Sequence, residues 1–448
     1  MTNNKNQSSL YSQLVQQLLP GLTVSFVAIS LGAAFGVLSG RGALAGILSA
    51  GVIALITAAF GGTRIQCSGP TAPMTAVTIL LVSAVGGGLL ADHPGVDPDR
   101  FINLVLLLTG AMLIVASLLR LGRFIKLIPK IVISGFMNGI ALLIWVGEFC
   151  SIFGIGGKTA YLGNVFVNLA IVLLTLSVIF TLPLLLRKVS DRLNSFFPAT
   201  LIAIVVVSTL SNLFGLDVQH VSLGGSIESL TDIKGMIVGQ LPTEWSLALL
   251  ILAAPFVVQL AMLAYLDTLL TSLVVDRKVE IMHGRQDPTK PNQELCAQGI
   301  ANAAVSVFGG IPGAQATIRS VLILNEGATM RLAGVLVGIF VLIEMLMFQD
   351  LISLIPQAVF SGVLLKVGYD VFDWMPVRQY ISQLLQPSPA QLPPVGHSGM
   401  ALIAGTALLT VLVNLSVAVI VFTIIFYLAR KFCGIEDIKT ESAMHDEG

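Results

Sequence analysis

Runs of about 20 predominantly apolar residues recur along the whole chain, and they constrain its fold more than any other feature. A run of that length is what an α-helix needs to cross the hydrocarbon core of a bilayer. Hydrophobic residues make up 55% of the 448 residues, charged residues make up 11%, and the mean hydropathy is +0.91. This balance excludes a soluble globular protein of that size. The sequence therefore predicts an all-α membrane protein that crosses a lipid bilayer many times.

The apolar runs divide into fourteen predicted transmembrane spans, seven in each half of the chain. Their approximate bounds are 21–38, 43–60, 71–90, 102–119, 129–149, 165–186 and 198–213, then 247–275, 294–308, 314–324, 333–347, 357–367, 400–415 and 417–432. The tenth and twelfth are too short to cross alone, and we interpret them as half-helices or re-entrant helices.

The predicted organisation is a single transmembrane transport domain with short ends. The domain covers residues 20–433, with repeats at about 20–215 and 245–433. Residues 1–19 form a cytoplasmic N-terminal segment that includes a surface helix at about 10–19, and residues 434–448 form a short cytoplasmic tail.

The charges of the predicted loops alternate in sign along the chain. Basic residues follow even-numbered spans, at Arg120, Arg123, Lys126, Lys130, Arg187, Lys188, Arg192, Arg277, Lys278, Arg285, Lys290, Arg430 and Lys431. The opposite loops are mainly acidic, with Asp92, Asp97, Asp99, Asp217, Glu228, Asp232 and Glu244. Since cytoplasmic loops are enriched in Lys and Arg, both termini of this multi-pass cell-membrane protein are predicted to be cytoplasmic. The formal net charge is zero, which argues against a nucleic-acid partner.

Two short stretches rich in Gly, Pro and small residues interrupt the apolar pattern, at 68–78 (SGPTAPMTAVT) and 309–320 (GGIPGAQATIRS). Proline fits the first turn of a helix and breaks its interior, so each stretch predicts an extended approach followed by a helix start. Two helices that begin inside the membrane would direct unpaired N–H groups and positive dipole ends into one cavity, which would form an anion site. A loop or a helix kink would explain either stretch alone, but their occurrence in both halves of the chain favours an inverted repeat.

Charges within the predicted spans are further candidates, because burying one costs at least about 2.5 kcal/mol on insertion scales. Asp267 lies in the eighth span, with Thr271 one helical turn later. A carboxylate, a hydroxyl and a nearby carbonyl are oxygen ligands suited to Na⁺, so a cation or proton site is predicted; a carboxylate paired with a neighbouring helix is the alternative. Arg319 would place a positive charge near the anion cavity, or neutralise Asp267, or do both. Glu148, near the end of the fifth span, is interpreted as a solvated side chain.

Five segments then occur in a specific order: GLTVSFVAISLGAAFGVLSG, FGGTRIQCSGPTAPMTAV, SGFMNGIALLI, LDTLLTSLVVD and ELCAQGIANAAVSVFGGIPGAQATIRS. In this combination the chain resembles the SulP family of inorganic-anion transporters. The resemblance implies a fourteen-span fold built as a seven-plus-seven inverted repeat, with a core domain, a gate domain and half-helices at spans three and ten. It also implies that substrate is held between the amino ends of those two spans.

The resemblance also assigns site residues by their positions in the matching motifs. The implied substrate-binding residues are Ser68, Gly69, Thr71 and Ala72 in span three, with Ala316, Thr317 and Arg319 in span ten. Within the family, the chain looks most like the cyanobacterial-type sodium-dependent bicarbonate transporters. In those proteins an aspartate and a threonine of span eight and a glycine of span ten serve the sodium site, which implies Asp267, Thr271 and Gly313 here.

These observations predict a secondary active transporter that takes up bicarbonate with Na⁺ as the coupling ion. A proton- or sodium-coupled sulfate carrier, an uncoupled anion exchanger or channel, and a nucleobase carrier of the same architecture remain open. The expected partners are a small inorganic anion and the lipid bilayer, with a homodimer as a further alternative. No nucleophile–base set, metal motif or phosphate-binding loop indicates an enzyme or a resident cofactor.

Two departures from the family pattern bear on these expectations. Most members continue into a cytoplasmic STAS domain, whereas the sequence after Phe432 is too short to form one. Ser30 occupies a position of span one where relatives usually carry proline, and span one lines the substrate pocket in this family. Pocket shape or selectivity is therefore expected to differ.

Overall fold

The computed structural model describes residues 16–127, 129–155, 160–189, 199–221, 238–243, 245–283, 287–385, 396–413, 415–433 and 437. The surface helix predicted at 10–19 therefore lies largely outside the described residues, and so does the tail after residue 433 except for Asp437.

A helix lies at each of the first seven predicted spans. In chain order the elements are α1 (Leu18–Leu38), α2 (Ala43–Phe60), β1 (Ser68–Pro70), α3 (Ala72–Ala84), α4 (Pro98–Leu118), α5 (Lys130–Phe153), α6 (Val165–Val189) and α7 (Ala199–Leu213). A π-helical turn at Val85–Leu89 continues α3, and a 3₁₀ helix at Leu121–Leu127 follows α4.

A helix also lies at each predicted span of the second half. The elements are α8 (Leu247–His283), α9 (Pro291–Val307), β2 (Gly313–Gln315), α10 (Thr317–Asn325), α11 (Arg331–Ile352), α12 (Gln357–Val371), α13 (Trp374–Leu385), α14 (His397–Leu412) and α15 (Leu415–Cys433). The hydropathy pattern does not predict α13, because this helix is amphipathic and its apolar residues lie on one face instead of forming a run.

The helices differ in length and in apolar character. Within the described part of the chain, α1, α2, α3 with its π-helical turn, α4, α5, α6 and α8 are long and apolar enough to cross a membrane. Two shorter apolar helices are α7 and α14. The nine residues of α10 extend only about 14 Å, roughly half of the hydrocarbon core.

Proline sets the start of three helices. Pro73, Pro98 and Pro291 lie in the first turns of α3, α4 and α9, where a missing N–H costs no intrahelical hydrogen bond. At α4 the Asp97 carboxylate also accepts a hydrogen bond of 3.0 Å from the Arg100 backbone N–H, which caps the helix. The sequence therefore defines these helix starts locally.

Small residues allow close packing in the larger of two compact units, Met1–Arg123 with Cys150–Val363. A Cβ atom added to Gly46 of α2 would lie 1.9 Å from the Gly32 carbonyl oxygen of α1, so the two backbones are nearly in contact. α11 packs against both α1 and α2, and α9 packs against α2 and α4. α1, α2, α8 and α9 contact one or both of the short strands. These helices therefore form a rigid frame around β1 and β2.

Aromatic packing and a close helix pair characterise the smaller unit, Phe124–Phe149 with Leu364–Gly448. Trp145 of α5 stacks on Phe372 with 5.7 Å between ring centroids, and its Nε1 donates to the Leu365 carbonyl oxygen at 3.1 Å. A Cβ atom added to Gly135 of α5 would lie 2.6 Å from the Ile403 carbonyl oxygen of α14. Both contacts hold α5 within this unit.

Candidate functional site

The two Gly/Pro stretches meet as a two-stranded antiparallel ribbon, here called the central ribbon, which pairs residues 68–70 with residues 313–315. Thr71 and Ala316 continue the two strands in extended conformation and lead directly into α3 and α10. Because the strands are antiparallel, the two helices start from opposite ends of the ribbon. The predicted extended approach is confirmed for both stretches. However, α10 begins at Thr317 and not at Ala314, because strand pairing keeps Gly313–Gln315 extended.

No side chain in the described part of the chain caps the start of α3 or of α10. The first-turn N–H groups of a helix have no intrahelical partner, and the helix dipole adds partial positive charge at the same end. Both helices therefore present a positive end at the central ribbon, which is the arrangement that binds anions in other helix N-termini.

Polar side chains hold both strands in place. The Asn302 amide of α9 donates from Nδ2 to the Gly313 carbonyl oxygen and accepts from the Gly313 N–H at Oδ1, each at 2.9 Å. The Ser320 hydroxyl of α10 accepts from the Cys67 N–H at 3.1 Å and can donate to the Cys67 carbonyl oxygen at 3.3 Å. The ribbon geometry is thus fixed by side chains from two helices of the second half of the chain.

One face of α8 binds the second strand and the start of α10. The Thr268 hydroxyl accepts from the Gln315 N–H at 3.3 Å, and Ser272 Oγ donates to Gln315 Oε1 at 2.8 Å. On the same face, the hydroxyl oxygens of Thr271 and Thr317 lie 2.6 Å apart. α8 therefore presents a row of hydroxyl groups to the site.

Arg319 provides a buried positive charge beside the first strand of the ribbon. Its side chain is 1% exposed, and its Nη2 donates to the Pro70 carbonyl oxygen at 2.9 Å. Nε and Nη1 have no hydrogen-bond partner among the described residues. Gly69 makes room for the guanidinium, because a Cβ atom there would lie 2.8 Å from Nη1. Two charged N–H donors are therefore available to a ligand at the ribbon.

Asp267 lies beside Thr71 and within electrostatic reach of Arg319. The Asp267 side chain is half-buried, and its buried Oδ2 lies against the Thr71 hydroxyl, although neither atom has a hydrogen bond of normal geometry in the described residues. A buried carboxylate and a buried guanidinium each reduce the cost of burying the other. Unsatisfied oxygen atoms next to such a pair are the groups that a cation or an additional donor would satisfy.

The predicted substrate-binding residues differ in how free their polar groups are. Thr71 and Arg319 have unsatisfied groups, as described above. The Ser68 hydroxyl is already engaged, because it accepts from Gln298 Nε2 at 2.7 Å and donates to Gln66 Oε1 at 3.1 Å. The Ala316 N–H donates to the Cys67 carbonyl oxygen at 3.2 Å. Gly69 and Ala72 are buried and contribute backbone only.

The predicted sodium residues lie around the same ribbon without forming one described cluster. Asp267 and Thr271 are one turn apart on α8, and Thr271 contacts Thr317. Gly313 lies in β2, where its carbonyl oxygen already accepts a hydrogen bond from Asn302. A carbonyl oxygen has a second lone pair, so this bond leaves Gly313 able to contact a cation.

Residues 14–384 match the sulfate permease family. The chain belongs to the sulfate permease family. The match covers the central ribbon, its frame and every candidate residue described above, so this family member is a multi-pass membrane anion transporter and not an enzyme.

Relatives of this sulfate permease family member include proteins named for two anions. The bicarbonate transporter BicA of Picosynechococcus sp. is 30% identical over 413 residues, which cover 89% of this chain and 67% of BicA. The putative sulfate transporter YvdB of Bacillus subtilis is 27% identical over 428 residues, which cover 93% of this chain and 74% of YvdB. The chain thus spans about two thirds to three quarters of the length of these relatives.

A solved structure supports the fold of this family member. The transmembrane domain of a cyanobacterial bicarbonate transporter BicA superposes with a TM-score of 0.74 at 29% identity, covering 91% of this chain and 97% of that domain. The helical architecture described above therefore resembles that of the BicA transmembrane domain.

Sequence reasoning missed an amide and carboxylate network that supports the ribbon in this sulfate permease. Glu294 of α9 is fully buried and accepts hydrogen bonds from the Thr63 N–H, Gln66 Nε2 and Gln298 Nε2 at 2.9, 3.0 and 3.2 Å. Gln298 in turn donates to Ser68 in β1. Glu294, Gln298 and Asn302 recur at four-residue spacing, which places them on one helix face. That spacing was the available signal.

Two residues singled out in the sequence have different surroundings from those expected. Glu148 is 2% exposed, so its interpretation as a solvated side chain is wrong; its side chain lies on a buried face of α5.

Ser30 lies on α1 in the wall of an apolar cavity, and its hydroxyl donates to the Phe26 carbonyl oxygen at 2.7 Å. A proline at this position could not make that bond.

Proposed function

We propose that this protein takes up bicarbonate together with Na⁺, and that the anion binds at the central ribbon between the starts of α3 and α10. The observation that carries the proposal is the buried Arg319 guanidinium, which lies between two helix starts without side-chain caps and has two unsatisfied N–H donors. In a low-dielectric site, fixed donors and helix dipoles attract an anion more strongly than they would in water.

The anion would contact groups from both halves of the chain. Arg319 offers Nε and Nη1, and Thr71 offers a hydroxyl without another described partner. The first-turn N–H groups of α3 and α10, including those of Ala72 and Thr317, supply further donors. Ser68 would support the anion site indirectly by holding the first strand in place, since its own hydroxyl is hydrogen-bonded to Gln66 and Gln298.

Sodium would bind next to this anion, at Asp267, Thr271 and Gly313. Asp267 partly balances the charge of Arg319 when no cation is present, which weakens the attraction for an anion. A Na⁺ ion at Asp267 would offset the carboxylate and restore the positive field of Arg319. This charge relation gives a physical reason for coupling between the two ions.

The proposed transport cycle uses a fourteen-span inverted repeat with α3 and α10 as half-helices. A core domain that contains the central ribbon would move against a gate domain and expose the site to each side of the membrane in turn. We further propose that both termini are cytoplasmic and that the protein functions as a homodimer in the cell membrane, with residues 20–433 as the transport domain.

The proposal is tested by uptake into proteoliposomes that contain the purified protein. Radiolabelled bicarbonate and radiolabelled sulfate are each offered with and without an inward Na⁺ gradient. Bicarbonate accumulation that requires the gradient supports the proposal. Accumulation of sulfate in place of bicarbonate, or equal bicarbonate uptake without Na⁺, contradicts it.

Sulfate transport is the second candidate, because YvdB aligns with about as much of this chain as BicA does and is named as a putative sulfate transporter. Helix dipoles and hydroxyl groups distinguish weakly between small oxyanions, so the same ribbon could hold sulfate. The comparison of the two labelled anions separates these candidates directly.

An uncoupled exchanger or channel is distinguished by the variant Asp267→Asn. This change removes the carboxylate charge and keeps the shape of the side chain. We expect loss of the Na⁺ dependence of uptake. Unchanged anion flux with no Na⁺ dependence in either protein would favour the uncoupled alternative.

A further inference from the structure

A cavity of about 590 Å³ lies in the larger unit between α1, α7 and α11. Its wall is mainly apolar, and it includes Ile29, Leu201, Ile204 and Phe360. Glu344 of α11 lies in the same wall, although its side chain plays no part in the central ribbon. A carboxyl group in an apolar wall is costly to keep ionised and needs an explanation.

The contacts of Glu344 indicate that it carries a proton. Its Oε1 lies 2.6 Å from Ser25 Oγ, and Ser25 Oγ also lies 2.8 Å from the Leu22 carbonyl oxygen. A serine hydroxyl has one proton and cannot donate fully to both oxygens. The arrangement is satisfied when Glu344 is protonated and donates to Ser25, and Ser25 donates to Leu22.

The second oxygen of Glu344 and the charges around it support this assignment. Oε2 has no hydrogen-bond partner in the described residues, and the residue is only 6% exposed. The described side chains that α1, α2, α7 and the start of α12 present to the cavity include no other titratable or charged group. An ionised Glu344 would therefore lack a compensating positive charge.

Glu294 of α9 shows the opposite arrangement at a similar burial. Its two oxygens accept from one backbone N–H and two amide groups. Because all three partners are donors, Glu294 needs no proton of its own. The two buried glutamates thus differ in their hydrogen-bond partners: three donors face Glu294, whereas one hydroxyl faces Glu344.

The cavity also lies where helix packing changes. α1, α2 and α11 pack closely together, whereas α7 packs chiefly on α6 and touches α1 less extensively. The cavity is already large enough to hold several water molecules beside Glu344. Hydration lowers the cost of the carboxylate, so Glu344 can exchange a proton with water in the cavity.

We propose that Glu344 is a proton-binding site in the wall of this cavity, and that it exchanges its proton with water in the cavity as the pH changes. Transport is then gated by pH at a site separate from the central ribbon. The gating part of this inference rests on the proposed transport function, whereas the protonation of Glu344 does not.

Infrared difference spectroscopy of the purified protein tests the protonation directly. We expect the wild-type spectrum to contain a protonated-carboxyl C=O band that is lost in Glu344→Gln and kept in Glu294→Gln. The amide replacement keeps the size of the side chain and resembles the protonated acid. Identical carboxyl bands in wild type and Glu344→Gln at every pH would overturn the proposal.

Uptake as a function of pH, at fixed substrate concentration, tests the gating. In wild type we expect the uptake rate to change with pH as Glu344 gains or loses one proton, by at most about tenfold per pH unit. Glu344→Gln should lose this pH dependence of uptake, and the control Glu326→Gln, in the turn after α10, should retain it. An unchanged pH profile in Glu344→Gln contradicts the gating. If no anion is transported at all but the infrared band is present, the proposed function fails and the proton site stands.

Discussion

The two strands of the central ribbon pair with each other and each contains one glycine, yet the two glycines face different neighbours. A Cβ atom on Gly313 would lie 2.3 Å from the Gly69 carbonyl oxygen, which is fixed backbone. A Cβ atom on Gly69 would instead lie 2.8 Å from Arg319 Nη1, the end of a flexible side chain. Gly313 therefore determines the shape of the ribbon, while Gly69 leaves space for its charge.

This difference shows that the site is symmetric in backbone and asymmetric in chemistry. Both halves supply a short strand and a helix start without a side-chain cap. In the described residues of the ribbon and the first turns of α3 and α10, Arg319 of the second half is the one charged side chain. Variants that affect backbone shape and variants that affect charge should consequently have separable effects.

The largest effect is expected for Gly313→Ala. The added methyl group would overlap the backbone of the opposite strand, and overpacking of this kind costs about 3 kcal/mol or more when no neighbour can move. We expect a strongly lowered melting temperature and no uptake. Gly87→Ala is the matched control, because no atom lies within 4 Å of a Cβ atom there. Equal melting temperatures for the two variants would show that the ribbon tolerates the change.

A smaller effect on stability is expected when the side chains that hold the strands are removed. Asn302→Ala leaves both the N–H and the carbonyl of Gly313 without their 2.9 Å partners, at a cost of about 1–3 kcal/mol for an unsatisfied buried group. Ser320→Ala removes the longer contacts of 3.1 and 3.3 Å to Cys67. Denaturation monitored by circular dichroism should rank Asn302→Ala as the less stable variant. The reverse order would mean that the first strand depends more on its side-chain contacts than the second strand does.

Gly69→Ala should affect anion binding as well as stability. The methyl group would displace the Arg319 guanidinium, which can move because it is the end of a side chain, but the φ of +154° at Gly69 is one that L residues rarely adopt. We expect the KM for the transported anion to rise about tenfold, equivalent to about 1.4 kcal/mol, and the melting temperature to fall by less than in Gly313→Ala. Concentration-dependent uptake measures this change. A lowered melting temperature with unchanged KM would place Gly69 in the structural role assigned to Gly313.

The smallest effect is expected at the hydroxyl pair of α8 and α10. Thr271→Val removes one hydroxyl of the 2.6 Å contact with Thr317 and keeps the branched shape. A lost hydrogen-bonding group of this type costs about 0.5–1.5 kcal/mol, so the apparent Na⁺ affinity should fall by about two- to tenfold. The Na⁺ dependence of uptake measures it, and Thr209→Val on α7 serves as a control. Equal Na⁺ affinities in the two variants would remove Thr271 from the sodium site.

The sequence predicted the helices well because apolar runs and first-turn prolines are local signals. It also singled out both Gly/Pro stretches, which pair as the central ribbon, and Asp267 and Arg319, which lie beside it. The pairing of Ser68–Pro70 with Gly313–Gln315 was not predictable in the same way, because three-residue strands carry little β pattern and their partners are distant in the chain. The start of α10 was misplaced for the same reason.

Supporting residues were missed because they are neutral or isolated. Asn302 and Ser320 are neutral polar residues in helices that carry several other polar side chains, so neither stood out without knowledge of the strand beside it. Glu344 had a readable signal, since a carboxyl group within a predicted span is as informative as Asp267. Its meaning depends on the cavity and on Ser25, which only the structure brings together.

The most direct test of the account measures anion binding to Asp267→Asn and to the double variant Asp267→Asn/Arg319→Gln by isothermal titration calorimetry with bicarbonate in the absence of Na⁺. If Arg319 binds the anion, the neutral amide introduced by Asp267→Asn should imitate the site in which Na⁺ balances the carboxylate. We therefore expect the single variant to bind bicarbonate, and the double variant to bind it about tenfold or more weakly, with similar melting temperatures for the two variants. Equal affinities in both would show that Arg319 only neutralises Asp267, which contradicts the proposed anion site.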